Sequence, residues 1–108
     1  MQVQKAVYYT RLLDIYGNIL TSKQQAILTD YLCFDNTLSE IATAHKTTRQ
    51  AVKDIIDRTC ARLDELEDKL HFAKKTQDVL DCLRKLSNTK LSDTALRNIQ
   101  NIIKSMEV

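Results

Sequence analysis

Proline is absent from this 108-residue chain, and Gly17 is its only glycine. Tight β-hairpins need residues that tolerate a positive φ, and glycine is the usual choice at such positions. A chain with so few turn residues cannot supply the many turns of a sheet protein, whereas helices joined by short polar connections need few of them. The sequence therefore predicts an all-α fold.

The sequence also lacks features of membrane, secreted and metal-binding proteins. No stretch approaches the roughly 18 consecutive apolar residues of a membrane span, and the first residues lack a signal-peptide pattern. Cys33, Cys60 and Cys82 are odd in number and widely spaced, and His45 and His71 lie far apart. These patterns predict a cytoplasmic protein with reduced cysteines, no metal site and no membrane insertion.

Catalytic patterns are missing as well. The sequence shows no nucleophile paired with a base, no cluster of metal ligands and no glycine-rich phosphate loop. We therefore expect the protein not to be an enzyme and to need no cofactor. Apolar residues make up 44% of the chain and charged residues 28%, which is enough apolar side chain for a folded core. We expect residues 1–108 to form a single domain.

Three capping boxes mark where helices begin. They are Thr21 with Gln24, Thr37 with Glu40, and Thr47 with Gln50. The last two starts lie only ten residues apart, which leaves room for two helical turns and a tight connection, as in a helix-turn-helix. We therefore predict helices over 4–19, 22–34 and 38–43 and a long helix after the third box. The helix-turn-helix core spans 21–69, and a C-terminal helical extension spans 70–108, with a bend or break near His71.

The long helix carries an apolar or small residue at alternating steps of four and three. These residues are Val52, Ile56, Thr59, Leu63, Leu66 and Leu70. Such a 3.5-residue repeat is typical of a coiled-coil seam. The repeat covers fewer than three heptads, so two interpretations stay open. Ile56, Leu63, Leu66 and Leu70 either pack on the chain's own helices or form the seam of a homodimer.

The start of the long helix holds the residues that point to nucleic acid. Ala42 is small enough for the helix crossing, and Val52 and Ile55 are expected to be buried against it. The residues that this leaves on the exposed side are Thr48, Arg49, Gln50, Lys53 and Asp57, and Thr47 lies beside the helix start. Arginine and glutamine can read base edges in the major groove, and threonine can donate to phosphate. We predict DNA binding through Thr47, Thr48, Arg49, Gln50 and Lys53, with a purely structural helix pair as the alternative.

Charge is unevenly distributed, although the net charge is only +2. Residues 21–69 hold seven lysines and arginines against nine acidic residues, and residues 70–108 hold seven against four. Asp54 and Asp57 lie close to the predicted DNA contacts and would repel phosphate.

The basic C-terminal part gives a second set of candidates. Lys74, Lys75, Arg84 and Lys85 are predicted to contact RNA or an acidic partner if they share a face, and otherwise to form a solvated surface.

Residues 12–70 resemble the YlxM-like family of small bacterial helix-turn-helix proteins. The most specific matches are the segment from Leu12 to Gln24, the block Leu38-Ser-Glu-Ile-Ala42 and the block Arg49-Gln-Ala-Val52. The same run is more distantly similar to region 4 of bacterial sigma factors. The resemblance implies nucleic-acid binding and a regulatory or accessory role in the signal recognition particle pathway, with the RNA or protein of that particle as partners.

The connection between the two helices departs from the family pattern. The family has Leu-Gly-Ile there, whereas this chain has His45-Lys46-Thr47. A non-glycine residue in a left-handed turn costs on the order of 1 kcal/mol, and two apolar plugs are replaced by polar residues. We expect His45 to be exposed and the angle between the helices, on which docking into a groove depends, to be altered. A protein-interaction adaptor that keeps the fold without DNA readout is therefore the competing hypothesis.

Overall fold

The chain divides into two compact units, Met1–Leu70 and a second unit that begins at His71. The computed structural model describes residues 1–107, and every regular element in that range is helical. The all-α prediction is therefore confirmed. The sequence predicted one domain with an extension from residue 70, and the structure places the boundary between two separate units after Leu70.

Six α-helices account for most of the described chain. The first unit contains α1 (Val3–Tyr16), a 3₁₀ turn (Gly17–Ile19), α2 (Ser22–Leu32), α3 (Leu38–Ala44) and α4 (Arg49–Leu70). The second unit contains α5 (Phe72–Ser87) and α6 (Asp93–Met106). The predicted break near His71 falls between α4 and α5, where His71 has a φ of 57°. No helix of residues 1–107 is long and apolar enough to cross a membrane.

The core of the first unit lies along α4, which contacts α1, α2 and α3. Fully buried apolar side chains come from each of these four helices: Leu12, Ile27, Leu28, Ile41, Val52 and Leu63. Their burial at three- and four-residue spacing is the stripe expected of helices that share one interior. In the first twenty residues the buried apolar side chains are Leu12, Leu13, Tyr16 and Leu20, whereas Val7 and Ile19 are 65% and 55% exposed.

Two of the three predicted capping boxes form as expected. The Thr21 hydroxyl accepts from the Gln24 amide at 3.1 Å, and the Gln24 side chain accepts from the Thr21 amide at 3.2 Å. Thr37 and Glu40 make the same reciprocal pair, with both distances at 3.1 Å. These hydrogen bonds lower the pKa of the Glu40 carboxyl.

The third predicted box, Thr47 with Gln50, does not form, and a single cap one residue later replaces it. The cap of α4 is Thr48, whose hydroxyl accepts from the Ala51 amide at 3.1 Å. The Thr47 amide instead donates to the Ala42 carbonyl at 2.9 Å, and the Lys46 amide donates to the Thr43 carbonyl at 3.3 Å. These two bonds are the Schellman closure of α3. Thr47 therefore belongs to the end of α3 rather than to the start of α4.

The left-handed position of this closure is Lys46, with a φ of 54°. The other positive-φ residues are Asp35 and His71, whereas Gly17 has a φ of −54°. The altered connection thus keeps the geometry that a glycine would give. It does so at the steric cost of a Cβ in the left-handed region.

Replacing Lys46 by glycine should stabilise the first unit. Removing the Cβ relieves the left-handed strain, so we expect K46G to raise the free energy of unfolding by about 1 kcal/mol in urea denaturation. The matched control is R58G, which removes an exposed side chain inside α4 and should lower it by about 1 kcal/mol. Equal destabilisation by both variants would show that Lys46 carries no strain.

Candidate nucleic-acid interface

The helix-turn-helix is formed by α3 and the first turns of α4. Ile41 and Ala42 of α3 are buried, as are Val52 and Ile56 of α4. The prediction that Val52 packs inward is confirmed. Ile55, which was expected beside it, is only half-buried, because Ile56 takes the inward position one residue later.

A polar contact braces the turn against α2. His45 Nε2 lies 3.0 Å from Asp30 Oδ2, and both side chains are 26% exposed. The expectation that His45 is simply exposed is therefore wrong. The contact fixes the end of α3 to α2 and compensates in part for the missing apolar plug at this position.

The predicted DNA-contacting residues are gathered at the N-terminal end of α4. Thr48, Arg49, Gln50 and Lys53 are exposed, and Thr47 is half-buried in the turn. Thr48 uses its hydroxyl as the helix cap. The recognition helix of a helix-turn-helix uses its N-terminal residues to reach base edges, so the end of α4 presents the residue types that such contacts need.

Two of these side chains are held by acidic neighbours on the same helix. The Gln50 amide donates to Asp54 Oδ1 at 3.0 Å, and Lys53 Nζ donates to Asp57 Oδ2 at 3.0 Å. Lys53 and Asp57 are 56% and 63% exposed, so the pair is weak and can exchange for a phosphate or a base edge.

Arg49 and Lys46 are the cations that remain available at this end. Both are exposed, and neither forms an ion pair with any residue in the described range 1–107. They lie beside the first turn of α4, where backbone amides and the helix dipole also favour an anion. Positive potential is therefore concentrated in the first turn.

Further along, the exposed face of α4 becomes acidic. Gln50, Asp57 and Asp64 follow one another at seven-residue spacing and so share a face. Asp64 accepts a hydrogen bond from the Tyr9 hydroxyl of α1 at 2.9 Å. Burial, followed by this bond to Asp64, raises the pKa of Tyr9 to about 12. On this face, the carboxylates beyond the first turns of α4 would repel phosphate.

The tyrosines of α1 are structural in this arrangement. Tyr16, seven residues after Tyr9 on α1, donates to Glu67 Oε1 at 2.7 Å. Glu67 lies three residues after Asp64 on α4, so the two hydrogen bonds join the same pair of helices. The seven-residue interval between Tyr9 and Tyr16 was the sequence signal for this shared role. Nothing in the sequence indicated the carboxylates that receive the two hydroxyls, because those partners lie more than fifty residues away.

The residues of the predicted dimer seam are mostly buried in the chain. Ile56, Leu63 and Leu66 are buried, whereas Leu70 is 37% exposed. The intramolecular interpretation accounts for the first three. A homodimer through this seam stays a prediction.

The four basic residues of α5 do not form one patch. Lys74 and Lys85 are eleven residues apart and share a face, since a helix turns 100° per residue. Lys75 and Arg84 are nine residues apart and lie on opposite sides. Arg84 also pairs with Glu107 at 3.3 Å. RNA binding through these residues stays a prediction.

An open groove of about 760 Å³ lies beside the exposed face of α4. Its walls combine aromatic and aliphatic side chains with charged groups of both signs, among them Tyr9, Tyr31, Leu38, Lys5, Lys53, Asp57 and Asp64. Such a lining suits a partner segment that carries both apolar and charged side chains.

The fold and the exposed end of α4 define a small all-helical protein of the helix-turn-helix class. Residues 3–103 match the family described as "Putative helix-turn-helix protein, YlxM / p13 like". The chain belongs to this family. It is 35% identical to the YlxM protein of Bacillus subtilis over 107 residues, which cover 99% of this chain and 97% of that protein.

Other relatives show the same relationship. A family member from Lacticaseibacillus casei is 40% identical over 96 residues, covering 86% of this chain and 85% of its own. A family member from Bacillus licheniformis is 40% identical over 91 residues, which cover 82% of this chain and 85% of that protein. No solved structure matches this chain significantly.

Cys60, which lines the groove, should be far less reactive than Cys33. Burial, with Asp64 and Asp57 nearby, raises the pKa of the Cys60 thiol to about 11, whereas Cys33 is exposed. Because the thiolate is the reactive form, alkylation of Cys60 by iodoacetamide should rise about tenfold per pH unit from pH 7 to about 11. Peptide mass spectrometry gives the rates. Equal labelling of both cysteines at pH 7.5 in the folded protein would contradict the burial of Cys60.

Proposed function

We propose that the protein is a non-enzymatic DNA-binding factor that docks the N-terminal end of α4 into the major groove. The observation that carries this proposal is the exposure of Arg49 and Lys46, neither engaged in an ion pair in the described chain, at the end of a closed helix-turn-helix. The Schellman closure and the Thr48 cap hold the first turn of α4 in place. Arg49 and Gln50 then supply the base-reading groups, and Thr48 and Lys46 lie beside the phosphates.

The carboxylates on α4 give this binding a built-in competitor. Asp54 and Asp57 hold Gln50 and Lys53 through exposed contacts at 3.0 Å. Each such contact is worth up to about 1 kcal/mol, which is less than the 1–3 kcal/mol typical of a bidentate base contact. A DNA site with the matching bases can replace these contacts by stronger ones, whereas a non-specific duplex provides only weaker contacts. The acidic neighbours therefore favour selective over general DNA binding.

We further propose a cytoplasmic regulatory or accessory role in the signal recognition particle pathway, with the chain acting as a homodimer. The family resemblance supports the pathway. Dimerisation fits the usual arrangement of helix-turn-helix proteins, which place two recognition helices about one turn of DNA apart. Binding of the purified protein to the RNA and to the protein component of the particle tests the first of these statements.

An adaptor function is the second candidate, and the acidic face of α4 favours it. The groove lined by Tyr9, Tyr31 and Leu38 also holds Lys5, Lys53, Asp57 and Asp64, so an amphipathic segment of a protein partner would fit there. An adaptor would copurify with a targeting component and would show no salt-dependent DNA binding.

The decisive variant for DNA binding is R49A with Q50A. Loss of both base-reading groups should weaken binding to a selected duplex by about 10- to 100-fold. The measurement is fluorescence anisotropy across a salt series, with circular dichroism to confirm unchanged helicity. The matched control is R58A, which removes an exposed arginine more than two helical turns further along α4, on the side opposite Arg49, and should change affinity by less than about threefold. Unchanged affinity of a folded R49A/Q50A variant would refute the docking.

Removing the competing carboxylates should have the opposite effect. D54N with D57N frees Gln50 and Lys53 and takes two negative charges away from the phosphates. We therefore expect affinity for random-sequence duplex to rise by roughly 3- to 10-fold. The control is D14N, a neutralised exposed carboxylate on α1. No gain in D54N/D57N, or an equal gain in D14N, would indicate that this face of α4 does not approach DNA and would favour the adaptor.

A further inference from the structure

The C-terminal pair, by which we mean α5 with α6, has the apolar pattern of a helical bundle but little interior. Among its described residues, Ala73 and Leu80 are buried, and α6 contributes no buried residue. Five apolar residues of α6 nevertheless fall at the spacing of one helical face: Leu96, Ile99, Ile102, Ile103 and Met106. A helix with such a face normally covers it against another element.

A unit as small as this one seldom folds stably on its own. Its two helices span Phe72–Ser87 and Asp93–Met106, and folds of fewer than about 40 residues usually need disulfides, metals or association. Cys82 is a free thiol, and no group of three metal-ligating side chains exists in the described residues. Association with another copy of the chain is the third of these means.

An exposed stripe on α5 marks where association would occur. Val79 and Leu86 remain 46% and 49% exposed in the complete chain, and exposed Cys82 lies between them. Steps of three and four residues place the three on one side of the helix. Ile102 of α6 is likewise 46% exposed. We call Val79, Cys82 and Leu86 the exposed stripe.

The charged residues beside the exposed stripe are arranged so that they match those of a second, antiparallel copy of the same helix. Asp78 and Lys85 are seven residues apart, so they lie along the same edge of α5. Both are exposed, and neither has an ion pair within residues 1–107. If two copies of α5 pack antiparallel, Asp78 of each copy lies opposite Lys85 of the other. A two-fold interface makes this contact twice.

We propose that a second copy of this chain covers the exposed stripe, with α5 packed antiparallel on α5 about a two-fold axis near Cys82. This inference gives the homodimer of the proposed function a surface other than the seam on α4. It does not depend on DNA binding, because association is measured without nucleic acid. The failure of one can therefore be told from the failure of the other.

The first test is sedimentation equilibrium of the full chain and of V79E with L86E. The wild-type chain should be dimeric at micromolar concentration, and the variant should raise the dissociation constant at least 100-fold by placing unpaired charges in the interface. The matched control is V7E, an exposed apolar residue of α1, which should leave association unchanged. A monomeric wild-type chain, or a V79E/L86E variant that stays dimeric, would overturn the proposal.

A charge exchange tests the orientation without removing apolar contacts. D78K and K85D should each weaken the dimer about 10-fold, because like charges then meet at both ends of the interface. The double variant D78K/K85D should restore affinity to within about threefold of wild type. Additive weakening in the double variant would refute the antiparallel arrangement.

Cross-linking locates the axis. In a C33S variant oxidised with diamide, the two Cys82 thiols should form an intermolecular disulfide, with their hydrogens transferred to the oxidant. A C82S variant should remain uncross-linked under the same treatment. A cross-link through Cys33 in the C82S variant, or no cross-link in the C33S variant, would place the interface elsewhere.

Discussion

The packing of three helices against α4 is the constraint on which the first unit depends. Val52, Ile56 and Leu63 are buried along 22 residues of this helix, and α1, α2 and α3 all contact it. Because one helix is the common wall, its N-terminal end is held in a fixed position relative to the other three. The functional end of α4 is thus positioned by the same side chains that form the core. Substitutions at the buried stripe would therefore alter both stability and the presentation of Arg49.

The sequence allowed the helices to be predicted where local chemistry decides the outcome. The boxes at Thr21 and Thr37 formed where each threonine is followed three residues later by a glutamine or glutamate whose side chain returns the hydrogen bond. At Thr47 and Thr48 two adjacent hydroxyls compete, and a non-local factor decides between them. The Schellman closure of α3 uses the Thr47 amide, so Thr48 is left to cap α4. Capping patterns alone could not have resolved this choice.

The sequence allowed the exposed residues of the candidate site to be predicted, but not the side chains with which the site residues make contacts. Periodicity indicated which side of α4 faces solvent, and the structure places Arg49, Gln50 and Lys53 there. The contact between His45 and Asp30 joins residues fifteen positions apart, and its partner choice depends on how α2 approaches α3. The same limit applied to the α4 seam, where one repeat is compatible with a core or an interface. Only tertiary packing distinguishes them.

The use of non-glycine residues at all three left-handed positions has a thermodynamic consequence. Asp35, Lys46 and His71 have φ values of 53°, 54° and 57°, whereas the sole glycine has an ordinary helical φ. Conformations of this kind cost on the order of 1 kcal/mol each, and 1 kcal/mol corresponds to about 4–8 °C in the melting temperature of a small domain. The left-handed residues at the helix breaks thus lower the melting temperature of this chain. Selection for growth at higher temperature could replace them with glycine at three backbone positions without altering the core.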